Sequence, residues 1–218
     1  MELVSQIIDL FLHLDKHLSL IISQYGMLTY CILFLVIFIE TGVVIMPFLP
    51  GDSLLFAAGA LAANPANNLN VVILMALLFI AAFLGDTLNY IIGNAIGPRV
   101  FEKDYFLLKK DHLVKTQKFY EKHGGKTIIF ARFIPIIRTF APFIAGIGTM
   151  NYRRFISYNL IGGFVWVVAF ILMGFFFGNL PLIKKNFTFV VFGIIILSLM
   201  PPLLELIKQR VAKKAVKM

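Results

Sequence analysis

Between Leu18 and Pro98 the chain carries three charged side chains, Glu40, Asp52 and Asp86; between Thr127 and Tyr152 it carries two, Arg132 and Arg138. Apolar runs this long cannot all be hidden in one soluble core. Of the 218 residues, 60% are hydrophobic and 14% charged, whereas an ordinary soluble domain carries roughly 25% charged residues. The expected class is an all-α integral membrane protein with a single membrane domain, residues 19–207.

A helix needs about 20 apolar residues to cross about 30 Å of hydrocarbon. Four segments meet that length, roughly 19–40, 70–97, 155–179 and 187–207. Two further apolar stretches are interrupted. Residues 43–63, VVIMPFLPGDSLLFAAGALAA, contain Pro47, Pro50 and Gly51, and residues 127–150, TIIFARFIPIIRTFAPFIAGIGTM, contain Pro135 and Pro142. Each splits into arms of about ten residues, about 15 Å as helix, which is half the bilayer. Both are read as re-entrant hairpins that reach the midplane and return. Irregular backbone at that depth is tolerated only against protein or a wet cavity, so the two hairpins should meet each other.

Charge orients this arrangement. The net charge is +9, with eight Lys or Arg between Arg99 and Lys126 and five between Lys208 and Lys217. These runs flank apolar segments, as cytoplasmic juxtamembrane charge does, which argues against a nucleic-acid partner. With the basic tail 208–218 in the cytoplasm, the stretch 98–126 is cytoplasmic and the loops NLPLIKK and NPANNLN are external. Only Lys184 and Lys185 depart from the rule. The hairpins then enter from opposite faces, an inverted-repeat-like topology of the kind secondary transporters use.

Two surface helices complete the layout. Leu3, Ile7, Leu10, Phe11, Leu14 and Leu18 recur at helical spacing, so residues 1–18 read as an amphipathic interfacial helix, without the basic start of a secretory signal. DHLVKTQKFYEKHGG reads as a solvated helix on the membrane surface that Gly124 terminates. The single cysteine, Cys31, reads as a small buried hydrophobe. His112 and His123 lack partners at metal-site spacing, and no metal or cofactor is expected.

Charges inside apolar segments are costly and usually face a pathway or a partner. Arginine offers a planar fork of donors suited to phosphate. Arg132 and Arg138 would point apart on a straight helix; a break at Pro135 lets them converge as a phosphate-binding pair. Thr139 is placed to cap a half-helix starting near Pro142, and Asp52 or Ser53 to cap another after Pro50–Gly51. Helix N-termini favour anions. Glu40 and Asp52 would compensate the arginines, gate the site or carry a proton. Asp86 and Asn89 share a helix face in GDTLNY and either line the same cavity or hydrogen-bond across helices. Buried ion pairs that merely hold the hairpins together are the alternative for all these charges. GNAIG (93–97) and GFFFG (174–178) match small-xxx-small packing, and Tyr158 and Trp166 are read as packing or anchoring residues.

FIETG, PFLPGDSLLFAAGALA, GDTLNYIIG, FYEKHGGKTI and ARFIPIIRTFAPFIAGIG together resemble the DedA family of bacterial inner-membrane proteins, over about residues 20–180. The resemblance implies a VTT-type fold with two opposed re-entrant hairpins, akin to eukaryotic lipid scramblases. It implies return of undecaprenyl phosphate across the membrane and dependence on proton-motive force. The family's essential acidic and arginine positions match Glu40, Asp52, Arg132 and Arg138.

The expected function is a flippase of a phosphate-bearing lipid rather than an enzyme. Its expected partners are membrane lipids, a polyprenyl phosphate and protons, with a homo-oligomer allowed. A proton-coupled antiporter of ions or small cationic compounds, or a general phospholipid scramblase, is the alternative. A lipid enzyme ranks lower, because the broken segments contain no histidine paired with an acid.

Overall fold

The structure is a computed structural model, and it describes residues 27–43, 51–97 and 110–178, together with the isolated positions 180, 183, 190 and 193. The expected N-terminal helix 1–18, the turn of the first hairpin, the fourth span 187–207 and the basic tail lie outside the described residues, apart from positions 190 and 193.

Every regular element among the described residues is helical. Helix α1 covers Leu28–Gly42, α2 Gly51–Ala62, α3 Val71–Ile96, α4 Lys110–His123, α5 Thr127–Ala131, α6 Pro135–Ile144 and α7 Tyr152–Phe177. A short π-helical turn, Ala145–Thr149, extends α6. Helices α3 and α7, of 26 residues each, are the two described helices long and apolar enough to cross a membrane; that length is about 39 Å at 1.5 Å per residue. Both start on an asparagine cap. Asn70 Oδ1 accepts from the backbone N–H groups of Val72 (2.9 Å) and Ile73 (3.2 Å), and Asn151 Oδ1 accepts from that of Arg153 (2.9 Å). At the other end of α3, Gly97 adopts φ +67 and ends the helix.

The expected spans 70–97 and 155–179 are observed nearly as drawn, α7 starting three residues earlier at Tyr152. The first expected span ends at Gly42 rather than at residue 40. On α1, Leu28, Cys31, Leu35 and Ile39 form an outward stripe, while Thr29, Leu33, Ile37 and Glu40 face inward. Cys31 is therefore exposed, not buried: its apolar surroundings in sequence reflect a lipid-compatible face, not a core.

The second broken stretch also differs from expectation. Its first arm is α5, only five residues long, preceded by the Gly124–Lys126 turn. The chain breaks at Arg132–Ile134, and α6 starts with Pro135 in its first turn and Ile134 extended (φ −123, ψ 103). Pro142 sits inside α6 and does not start a helix. The physical reason is that proline suits a first turn, where its missing N–H is not needed, and forces the preceding residue out of helical geometry. Pro135 thus supplies the break, and Thr139 is an interior residue rather than a cap. The break is also not enclosed on every side, since Phe130 and Phe133 are exposed beside the buried Arg132.

Glycines let backbones touch at two crossings. A Cβ on Gly59 of α2 would strike the Ile171 carbonyl of α7, and one on Gly174 of α7 would strike the Phe56 carbonyl of α2. In the same way a Cβ on Gly93 of α3 would strike the Phe143 carbonyl, and one on Gly146 would strike the Tyr90 carbonyl. Each crossing pairs a residue and the glycine three positions later on one strand of chain with the same pattern on the other. Close approach at small residues is the usual basis of helix packing in lipid. Of the two small-xxx-small pairs in the sequence, Gly174 and Gly178 both pack, while a Cβ on Gly97 would meet nothing among the described residues and that glycine ends α3.

Two apolar clusters flank a polar layer. One gathers Leu33, Ile37, Leu55, Leu74, Leu78 and Ile171; the other gathers Tyr90, Ile128, Phe140, Phe143, Ile144 and Phe155. Along α3 the buried order is Leu74, Leu78, Ala81, Ala82, then Asp86 and Asn89, then Tyr90 and Gly93. On α4, Lys118, Glu121 and Lys122 are exposed and Thr116 and Tyr120 buried, as expected of a surface helix. Tyr120 donates to the Ala141 carbonyl of α6 at 2.8 Å, and burial holds its phenol well above its usual range, so the donor persists at neutral pH.

Candidate functional site

The polar layer is assembled from five helices and the break before α6. Glu40 lies on the inward stripe of α1, Asp52 and Ser53 in the first turn of α2, Asp86 and Asn89 on α3, Arg132 in the break, Arg138 and Thr139 on α6, and Asn159 and Trp166 on α7. Glu40, Ser53, Asp86, Asn89, Arg132, Arg138, Thr139 and Asn159 are buried. All eight residues singled out from the sequence thus fall in one region, although the half-helix capping expected of Thr139 does not occur.

Each arginine heads its own group. Arg138 Nη1 donates to Asp52 Oδ1 at 3.0 Å, and its Nη2 donates to Glu40 Oε1. Both carboxylates are tethered further. Glu40 Oε1 accepts from the backbone N–H of Gly51 at 3.2 Å, and Asp52 Oδ1 accepts from Trp166 Nε1 at 2.8 Å. The N-terminus of α2 is therefore turned toward a carboxylate of the protein itself, as the helix dipole favours. Glycine at position 51 lets the Glu40 carboxylate sit against the α2 backbone, where a Cβ would displace it.

Arg132 forms the second group. Its Nη2 donates to Asp86 Oδ2 and to Asn159 Oδ1, each at 2.5 Å. Gly162 and Gly163 make room for the guanidinium: Cβ atoms there would sit 3.2 Å from Nε and from Nη2. Asn159 in turn donates from Nδ2 to the Phe83 carbonyl at 3.2 Å.

Trp166 joins the groups. The Arg138 and Arg132 Cζ atoms lie 5.2 and 5.7 Å from its ring centroid, within cation–π range. A second tie is Asn89, whose Nδ2 donates to the Thr41 carbonyl at 3.3 Å and to the Thr139 carbonyl at 2.9 Å, linking the end of α1 to α6 through α3. Asp86 and Asn89 hence do hydrogen-bond across helices, and do so inside the charged cluster.

Two members were not anticipated. Trp166, expected to pack or anchor, has both guanidinium groups within about 6 Å of its ring centroid; its sequence signal is a tryptophan deep inside a span instead of near an end. Asn159 is an amide in an otherwise apolar helix face, and the sequence mark that goes with it is Gly162–Gly163, where the guanidinium finds room. Tyr158, by contrast, packs as expected, its ring against Gly125 and 6.0 Å from the Arg154 guanidinium.

Chemically, the cluster sets two arginines against three carboxylates among the described residues, with all but the partly buried Asp52 shut away from solvent. Buried charges of this kind are stable only when paired and hydrogen-bonded. No group of three or more His, Cys, Asp or Glu side chains able to hold a metal occurs among the described residues.

Comparison with known proteins agrees with this layout. The VTT domain family matches residues 49–176, which spans α2 to α7 and all of the cluster except Glu40. The chain is 49% identical over 219 aligned residues to Protein DedA of Escherichia coli (strain K12), covering 100% of both chains. It is 41% identical over 172 residues to an uncharacterized membrane protein of Mycobacterium tuberculosis, covering 78% of this chain and 75% of that one. It is 34% identical over 186 residues to Inner membrane protein YqjA of Escherichia coli (strain K12), covering 85% and 83%. No solved structure matches the chain. An all-helical polar-cored bundle, a VTT domain over most of its described length and full-length similarity to Protein DedA together make this chain a membrane protein of the DedA family.

Proposed function

We propose that the protein moves a phosphate-bearing lipid, undecaprenyl phosphate in the first instance, across the cytoplasmic membrane. The observation that carries this reading is the pair of buried arginines within reach of one indole ring, drawn together by the break at Pro135. Arginine is suited to phosphate because its fork of donors matches the oxygens and its charge does not titrate. In this reading Arg132 and Arg138 take the head group, while the prenyl tail stays in lipid.

The carboxylates support a coupled ion. Three acids against two arginines leave one negative charge in excess when all are ionised, and a proton is the simplest ion to offset it. Adding a phosphate increases that excess, so phosphate entry would favour proton uptake at Glu40 or Asp52. The reciprocal glycine crossings favour an inverted repeat with opposed hairpins, and the basic tail a cytoplasmic C-terminus in the bacterial inner membrane. We treat the protein as a transporter and not an enzyme.

The test is purified protein in liposomes with labelled polyprenyl phosphate. Transfer between leaflets should depend on the protein and fall sharply in Arg132→Ala and Arg138→Ala. Unchanged transfer in both variants overturns the reading. Proton flux with a soluble cation and no lipid requirement would establish the antiporter alternative instead.

A further inference from the structure

The two arginines are not equivalent. Arg138 has a carboxylate on each terminal nitrogen, Asp52 on Nη1 and Glu40 on Nη2, and each carboxylate is also held by a second donor. Among the described residues Arg132 has one carboxylate, and its Nη2 carries both of its hydrogen bonds. Its Nε and Nη1 have no hydrogen-bond partner among the described residues, although the side chain is only 2% exposed. A guanidinium has one N–H on Nε and two on each terminal nitrogen. Three N–H bonds of Arg132 are therefore unmatched in a desolvated place, on both sides of the nitrogen that is used. Buried unmatched donors of a charged group are expensive, and a chain that retains them has a reason to.

Charge points the same way. An anion approaching Arg138 meets one cation flanked by two carboxylates, a group with net negative charge. One approaching Arg132 meets a neutral pair, Arg132 with Asp86, beside the uncharged amide of Asn159. Arg138 also lies over the same Trp166 ring, 5.2 Å from its centroid.

Resting on the phosphate-lipid reading above, we infer that Arg132 is the residue that receives the phosphate, through Nε and Nη1, while Arg138 is occupied by Glu40 and Asp52 and engages second. The ligand chemistry is a phosphate group, either the monoester of a lipid head group or the free ion in solution.

Trp166 is the only tryptophan in the chain, so intrinsic fluorescence reports on this site directly. The experiment titrates full-length protein in nanodiscs with farnesyl phosphate, with inorganic phosphate and with farnesol. Farnesyl phosphate is expected to change the emission, farnesol not. Arg132→Lys keeps the charge but loses the fork, and should weaken farnesyl phosphate binding about tenfold. Arg138→Lys, whose loss falls on a residue already engaged elsewhere, should weaken it by about threefold. Equal losses, or the reverse order, overturn the inference.

Should Arg132→Lys not fold, Asn159→Asp gives the second test. It places a second carboxylate on Arg132, making that group resemble the one around Arg138, and should lower the affinity about tenfold without removing an arginine. Undiminished binding in Asn159→Asp overturns the inference. An identical response to farnesol and farnesyl phosphate in the unmodified protein defeats the phosphate reading itself, and this inference with it. Inorganic phosphate binding as tightly as farnesyl phosphate, with the same loss in Arg132→Lys, supports the role of Arg132 and transfers it to a soluble ligand.

Discussion

The crossing of α2 on α7 and the crossing of α6 on α3 are built alike, glycine against carbonyl in both directions, whereas the side chains beside them have diverged. Aligning Phe56 and Gly59 with Phe143 and Gly146 sets Gly51 opposite Arg138 and Asp52 opposite Thr139. Aligning Ile171 and Gly174 with Tyr90 and Gly93 sets Trp166 opposite Gly85 and Val167 opposite Asp86. The duplicated part is the part where two backbones touch, which admits only glycine. The diverged part is the chemistry: one half supplies carboxylates, the other supplies arginines, and they pair across the centre as Arg138–Asp52, Arg138–Glu40 and Arg132–Asp86.

The largest effects should come from the duplicated part. Gly59→Leu and Gly146→Leu each drive a side chain into a backbone carbonyl that has nowhere to go. Each should cost about 3 kcal/mol or more, seen as loss of monodisperse protein or a collapsed unfolding midpoint in detergent. The two losses should match. If Gly146→Leu is tolerated while Gly59→Leu is not, the crossings are equivalent in geometry only.

The arginine groups should separate where the crossings do not. Asp86→Ala removes the carboxylate that pairs with Arg132, leaves a buried cation uncompensated and should cost about 3 kcal/mol. Asp52→Ala leaves Arg138 still paired with Glu40 and should cost about 2 kcal/mol, the scale of one hydrogen bond to a charged group. Unfolding titrations of both variants measure the gap, and a larger loss in Asp52→Ala would break the asymmetry. Trp166→Phe sharpens it further. A phenyl ring keeps an aromatic face for both guanidinium groups but removes the donor to Asp52, so about 1.5 kcal/mol should be lost. A much larger loss would mean that the indole packs the site rather than polarises it.

How far these features were legible in the sequence follows from their physics. The spans α3 and α7 were legible because apolar length is a local property. So were Glu40, Asp52, Arg132 and Arg138, since a charge in such a run stands out without any knowledge of its partner. The break in FARFIPIIRTFAP was half legible: two prolines signalled it, but only the local geometry decides that Pro135 opens α6 and that Pro142 is absorbed within it. Trp166 and Asn159 were only faintly legible: a tryptophan deep in a span and an amide before Gly162–Gly163 stand out, but a long-range contact is what gives each its role. The pairing of Arg132 with Asp86, and not with Glu40 or Asp52, is set by how α3, α7 and the break pack, which no spacing rule reports.

The helix caps offer the finest test of how alike the halves are. Asn70 and Asn151 open α3 and α7 in the same way, yet not with the same number of bonds. Asn70 Oδ1 takes two backbone N–H groups, and the Asn70 N–H itself donates to the Tyr30 hydroxyl at 2.8 Å. Asn151 Oδ1 takes only that of Arg153. Replacing a capping asparagine with alanine costs about 0.5–2 kcal/mol, so Asn70→Ala should cost about 1 kcal/mol and Asn151→Ala about 0.5 kcal/mol. Alanine leaves the Asn70 N–H free to keep its bond to Tyr30, so Tyr30→Phe should add its own small loss on top of Asn70→Ala. Hydrogen exchange at Val72, Ile73 and Arg153 would resolve these differences where unfolding midpoints cannot. Protection should drop at the first two in Asn70→Ala and at the third in Asn151→Ala, each without change at the other helix. A drop at both helices from either substitution would mean that the two spans start as one cooperative unit, and the resemblance between the halves would then extend from their packing to their stability.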